Sequence, residues 1–138
     1  MNEIIKFIGE NPVVYLATID LNGKAKVRPF QFMTQKISER DNTIYLCTSN
    51  EKDVYNQLKN NQYVEVSVAN AKAEWIRVSG KAVFVSDLNL KKEIFENDAM
   101  IQNIYQSAEN PVFEVFTLEE GKAIKNDFSS NPPQEYNF

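Results

Sequence analysis

Apolar positions along the chain follow two periods, and the switches between them outline the elements. Ile4, Ile5 and Ile8 repeat on one helical face, and Asn2 is placed to cap that helix, which should end around residues 9–12. Residues 13–19 are a dense β-branched and aromatic run, read as a strand. Asp20-Leu21-Asn22-Gly23 is a turn, with Asn-Gly tolerating positive φ. Residues 24–33 return as the second strand of a hairpin. Pro29 lacks a ladder donor, which puts this strand at an edge or at a bulge. Residues 34–42 are polar and read as a loop, and 43–48 as a third strand.

Residues 50–61 carry Val54, Tyr55 and Leu58 on one helical face, with Glu51 and Asp53 in the first turn, where the helix dipole favours acids. Residues 63–68 alternate with period two, as a half-buried strand does, and Asn70-Ala71-Lys72 turns the chain. The run 73–86 is long for one strand, and Gly80 within it predicts a bulge or bend. Residues 88–108 read as one helix or two short ones. Residues 111–118 form a further strand, 121–125 a last short one, and 127–138 a polar tail containing Pro132-Pro133. About six strands and three helices joined by short turns favour an antiparallel barrel with peripheral helices over βαβ units. The 138 residues fit one domain spanning 1–138, with no repeat and no linker.

Composition narrows the chemistry. The chain has no histidine and one cysteine, Cys47. This excludes a Ser-His-Asp triad, a Cys-His dyad, a histidine general base, histidine or multi-cysteine metal sites, and an intrachain disulfide. Cys47 lies in a strand and reads as an inert core thiol. The formal net charge of −4 argues against nucleic-acid binding. No apolar run is long enough to span a membrane. The opening residues lack the basic region and apolar core of a secretory signal, so the expected location is cytoplasmic. Charge is uneven: residues 1–60 carry 8 basic and 7 acidic groups, and residues 61–138 carry 7 and 12. An anion site is therefore expected in the first half.

Three constellations stand out. In Thr48-Ser49-Asn50-Glu51-Lys52, hydroxyls and an amide lie between a strand end and a helix start, followed by a lysine in the first turn. The dipole disfavours a cation there, and a bound phosphate would compensate it; the plainer reading is a capped helix with a solvated lysine. In Val27-Arg28-Pro29-Phe30-Gln31-Phe32, an arginine sits within a strand. Its fork suits phosphate, or equally a carboxylate partner elsewhere in the chain. In the strand around Glu74-Trp75-Ile76-Arg77, the single tryptophan could stack on a flat heterocycle, or pack in the core or an interface.

In order and spacing, the strand ending Arg28-Pro29-Phe30, the strand Ile44-Tyr45-Leu46-Cys47-Thr48, Lys52 at a helix start and Trp75 in a strand ending Arg77-Val78-Ser79-Gly80-Lys81-Ala82 are informative together. They resemble the pyridoxamine 5′-phosphate oxidase-like, FMN-binding split-barrel superfamily, and within it the short nitroimidazole-resistance (Nim) type flavoproteins. The resemblance implies a mainly β fold, a six-stranded antiparallel split barrel of Greek-key type. It also implies a homodimer with FMN at the subunit interface. On the matched positions Arg28 and Lys52 would hold the phosphate with Thr48, Ser49 and Asn50. Val27, Arg28, Pro29, Phe30 and Gln31 would run beneath the ring, and Trp75 would approach it from the partner subunit. Pyridoxamine oxidases carry C-terminal arginine and histidine residues that grip the substrate phosphate. The tail here has neither, so that activity is not expected. The expectation is a small FMN-dependent oxidoreductase, flavin- or nitro-compound-reductase-like, of undetermined substrate and catalytic residues. NAD(P)H could serve as donor, although no G-x-G-x-x-G is present. The alternatives are a flavin-binding or storage protein, or a member using haem or a deazaflavin.

Overall fold

The computed structural model of the chain describes residues 1–38 and 42–138. The centre of the expected 34–42 loop, residues 39–41, lies outside the described residues; Thr34–Lys36 before it form a 3₁₀ turn.

Helix α1 (Asn2–Glu10) buries Ile4, Phe7 and Ile8. Asn2 lies inside the first turn and does not cap it. Met1 occupies the cap position, and the Ile5 N–H bonds to its carbonyl. Strands β1 (Val13–Ile19) and β2 (Ala25–Gln31) form the expected hairpin, in register from Val13↔Gln31 to Ile19↔Ala25. Gly23 takes φ 77° in the turn, and the Asp20 carboxylate accepts the Asn22 and Lys24 N–H groups at 2.9 Å. Strand β3 (Tyr45–Ser49) leads to helix α2 (Asp53–Asn60), which buries Val54, Gln57 and Leu58. Strands β4 (Tyr63–Ala69) and β5 (Trp75–Val85) form a second hairpin.

Residues 88–105 form two helices, α3 (Leu88–Asn97) and α4 (Ala99–Tyr105), because Asp98 breaks the run and caps the second. The segments expected as two strands at 111–118 and 121–125 are one continuous strand, β6 (Phe113–Asn126). Within it Glu120 takes φ 49°, so the chain bends without leaving the ladder. The tail, read as merely polar, carries a seventh strand, β7 (Gln134–Asn137), paired with β6. Its backbone groups pair with β6, a contact its composition does not signal.

The sheet order is β2-β1-β4-β5-β6-β3, antiparallel throughout, with β7 also on β6. The edge strands β2 and β3 approach through one bridge, Phe32↔Leu46, and the bond from the Met33 N–H to the Tyr45 carbonyl at 3.0 Å. The sheet thus rolls up and stays open. As expected, Pro29 lies on an edge strand and the register shifts at Gly80. A side chain at Gly80 would meet the Glu119 carbonyl at 3.1 Å. Alternation places Leu16, Val64, Val66, Val68, Ile76 and Val78 inside the roll. A second cluster, including Met33, Ile94, Ile101 and Phe113, lies beneath α3 and α4. No helix among the described residues is long and apolar enough to cross a membrane.

Candidate functional site

Strand β2 has a free edge because only β1 pairs with it among the named strands. Beside that edge is a cleft of about 230 Å³. Its wall is built by Arg28, Pro29, Phe30 and Gln31 of β2, Cys47 and Thr48 of β3, Lys52 and Val54 at the α2 start, and Met100, Ile101, Ile104 and Tyr105 of α4. The cleft therefore gathers residues of the first two sequence constellations, which lie on different strands.

Arg28 is half-buried in a neutral cradle. Its Nη1 donates to the Leu16 carbonyl at 3.3 Å and to Thr18 Oγ1 at 2.7 Å, and its Nη2 to Gln57 Oε1 at 2.9 Å. The Thr18 hydroxyl donates in turn to Gln57 Oε1 at 2.6 Å. A guanidinium has five N–H donors. Three are used here, which leaves the Nε–H and one Nη2–H. Among the described residues no carboxylate pairs with Arg28 or with Lys52. Burial lowers the Arg28 pKa from its ordinary value. A charge partly removed from water, whose partners among the described residues are all neutral acceptors, favours an anionic partner.

Lys52 is exposed. It does not lie within the first helical turn, as expected, but just before it, in extended backbone at the cap of α2. Its N–H bonds to the Ser49 carbonyl at 3.1 Å. Thr48 is 3% exposed, and its Oγ1 is buried with no hydrogen-bond partner among the described residues. An unpaired buried hydroxyl costs about 1–3 kcal/mol, so this atom too is suited to a ligand. Ser49 Oγ is committed to the Glu51 N–H at 3.2 Å, and Asn50 Nδ2 to the Pro111 carbonyl at 2.8 Å. Neither residue lines the cleft.

Val27 points outward, 68% exposed. Phe30 turns inward, edge-on to Phe116 at 5.9 Å. Trp75 is half-buried at the start of β5, opposite Ala69 and Asn126, with the Arg77 guanidinium 5.8 Å from its ring centroid. It does not line its own chain's cleft.

Burial raises the Cys47 pKa well above its ordinary value; nearby Asp98 adds to this and Lys91 opposes it. Burial, with a smaller contribution from Cys47, pushes Tyr105 up to about 12. Both stay protonated at neutral pH, so neither offers a base or nucleophile there. A larger depression of about 490 Å³ lies over β1, β4 and β5. Its charged residues are Glu65 and Glu120, which disqualifies it for an anion.

Several site residues escaped the sequence reading. Gln57 and Thr18 cradle Arg28, and both carried a signal: a polar residue at an inward position, between Val54 and Leu58 in one case and after Val14 and Leu16 in the other. The wall from α4 carried none, since its approach to β2 depends on tertiary packing.

The family model for pyridoxamine 5′-phosphate oxidase matches residues 1–124. The chain belongs to the pyridoxamine 5′-phosphate oxidase family. Among solved structures, a NimC/NimA family protein from Clostridium acetobutylicum superposes with a TM-score of 0.86 at 26% identity, covering 100% of this chain and 92% of that one. A pyridoxamine 5′-phosphate oxidase-related, FMN-binding protein from Nostoc punctiforme gives 0.64 at 14% identity, over 99% and 88%. A haem-binding protein from Mycobacterium smegmatis gives 0.70 at 12%, over 96% of this chain and 56% of that one. The last two share the fold alone. No curated protein sequence matches the chain. The expected family and mainly β split-barrel fold are thus borne out, with a seventh strand added.

Proposed function

We propose that the protein is an FMN-binding flavoprotein acting as a small oxidoreductase. The observation that carries this reading is the half-buried Arg28, held among the described residues by neutral acceptors, in one cleft with Lys52 and a Thr48 hydroxyl that has no partner among those residues. Arg28 and Lys52 would hold the phosphate, with Thr48 beside them, while Pro29 to Gln31 and the α4 wall receive the ring. Ser49 and Asn50 would contribute through the turn that presents Lys52. Bound FMN supplies redox chemistry; the chain supplies binding, orientation and charge. This division suits a cleft whose Cys47 and Tyr105 stay protonated at neutral pH. Haem is disfavoured because the chain has no histidine ligand to offer.

The cleft is smaller than the roughly 300–1,000 Å³ usual for small-molecule sites. A second copy of the chain would complete it. Val13, Tyr15, Val27 and Tyr63, each more than half exposed, present an apolar outer sheet face for an isologous dimer. Trp75 would then enter the partner's cleft.

The test is FMN uptake, read from the visible spectrum. Lys52→Ala should weaken FMN by about 1.5–3 kcal/mol and leave riboflavin, which lacks the phosphate, unaffected. Equal losses would remove Lys52 from the phosphate. Light scattering should give twice the chain mass of 15.9 kDa; a monomer that binds FMN would refute the interface. Reduction by NAD(P)H with turnover on an acceptor separates an oxidoreductase from a flavin carrier.

A further inference from the structure

Asp98 is buried, 3% exposed, between α3 and α4. It caps α4 by accepting the Ile101 N–H at 3.0 Å on Oδ1. Its Oδ2 faces Gln31 Nε2 at 3.3 Å and Lys36 Nζ at 3.7 Å. All three groups are donors. A carboxylate accepts and does not donate, so Gln31 must turn its NH₂ toward Asp98. The two heteroatoms of an amide diverge, which sends Gln31 Oε1 the other way. That oxygen has no hydrogen-bond partner among the described residues, and Gln31 lines the cleft.

We propose that Asp98 is a positioning residue that locks the Gln31 amide with its carbonyl oxygen toward the cleft, as a fixed acceptor for an N–H of the bound ring. The inference rests on the flavin reading above and adds to it the polarity of the ring pocket at this point. Without the carboxylate the amide can rotate by half a turn and present a donor where an acceptor is needed. Sequence position hides the relation, since Gln31 and Asp98 are 67 positions apart.

The experiment is a double-mutant cycle on FMN affinity, followed by fluorescence titration and the visible flavin spectrum. Asp98→Asn keeps a good helix cap but offers Gln31 a donor as well as an acceptor. It should weaken FMN roughly three- to tenfold, the size of one neutral hydrogen bond, and shift the flavin spectrum. Gln31→Met should cost about the same, and Asp98→Asn should have no further effect in the Gln31→Met background. Lys36→Met, which removes the ion pair without touching the amide, should leave FMN affinity within about twofold of the starting value. If Asp98→Asn does not fold, Asp98→Ser keeps the cap, is too short to reach Gln31, and reads the same cycle. An unchanged affinity and spectrum, or an equal loss in the Gln31→Met background, would overturn the inference while the flavin reading stands. A starting protein that takes up no FMN would overturn both.

Discussion

Replacing Thr48 with valine should move stability and ligand affinity in opposite directions. Thr48 sits in β3 opposite Glu114, 3% exposed, and its Oγ1 is buried without a partner among the described residues. Valine has the same branched shape, so it keeps the strand preference and leaves no cavity. In the ligand-free chain the substitution removes an unpaired buried hydroxyl, a group whose desolvation costs about 1–3 kcal/mol. Taking the lower end, the chain should gain about 1 kcal/mol, a rise in Tm of roughly 3–5 °C at this size. With FMN the sign reverses. A hydroxyl that donates to a phosphate makes a charge-assisted bond worth about 1.5–3 kcal/mol, so FMN should bind roughly tenfold or more weakly. Riboflavin affinity should not change. The assays are thermal unfolding of ligand-free protein, with urea unfolding for the free energy, and parallel titrations with the two flavins. A lower Tm in the ligand-free variant would show that the hydroxyl has a partner after all. Equal effects on both flavins would place it away from the phosphate.

Three further outcomes follow from the structure. Cys47 has an ordinary pKa of 9.0 and is raised by burial, and Tyr105 is raised from 10.0 to about 12. The unfolded chain therefore releases these protons first, so stability present below about pH 9 should fall as pH rises through 9 and 10; unfolding midpoints from pH 7 to 11 should show this slope, Cys47→Ala flattening its start and Tyr105→Phe its upper part, and a flat profile in the unaltered protein would refute it. Gly121→Ala should cost about 3 kcal/mol in urea unfolding, because the added carbon meets the Ser79 carbonyl and lies 2.6 Å from the Phe138 ring; a loss below about 1 kcal/mol would mean that the β6–β7 contact gives way freely. Trp75→Phe should alter the flavin spectrum or weaken FMN with the fold intact; a fall in Tm of ligand-free protein with an unchanged spectrum would make Trp75 a packing residue only.

Local chemistry was enough to find most elements. Alternation placed Val64, Val66 and Val68 inward, Asn22-Gly23 made the first turn, and Pro29 marked an edge. Period and turn residues act over a few positions, so they are visible in a linear chain. Arg28 and the Thr48–Lys52 turn were legible as residues of anion-binding type, but their convergence was not. They share a cleft because β2 and β3, the opposite ends of the strand order, are brought together as the sheet rolls. The same applies to the absence, among the described residues, of a carboxylate paired with Arg28. The chain has 19 acidic residues, and only packing decided that Thr18 and Gln57 reach the guanidinium and that none of the described carboxylates pairs with it. Strand β7 is the plainest case. Its composition is polar, and it is a strand because β6 offers it free backbone groups and Gly121 leaves room for Phe138. Hydrophobic periodicity records which way a side chain faces; which partner it meets depends on contacts between residues distant in sequence, and those exist only once the sheet has rolled.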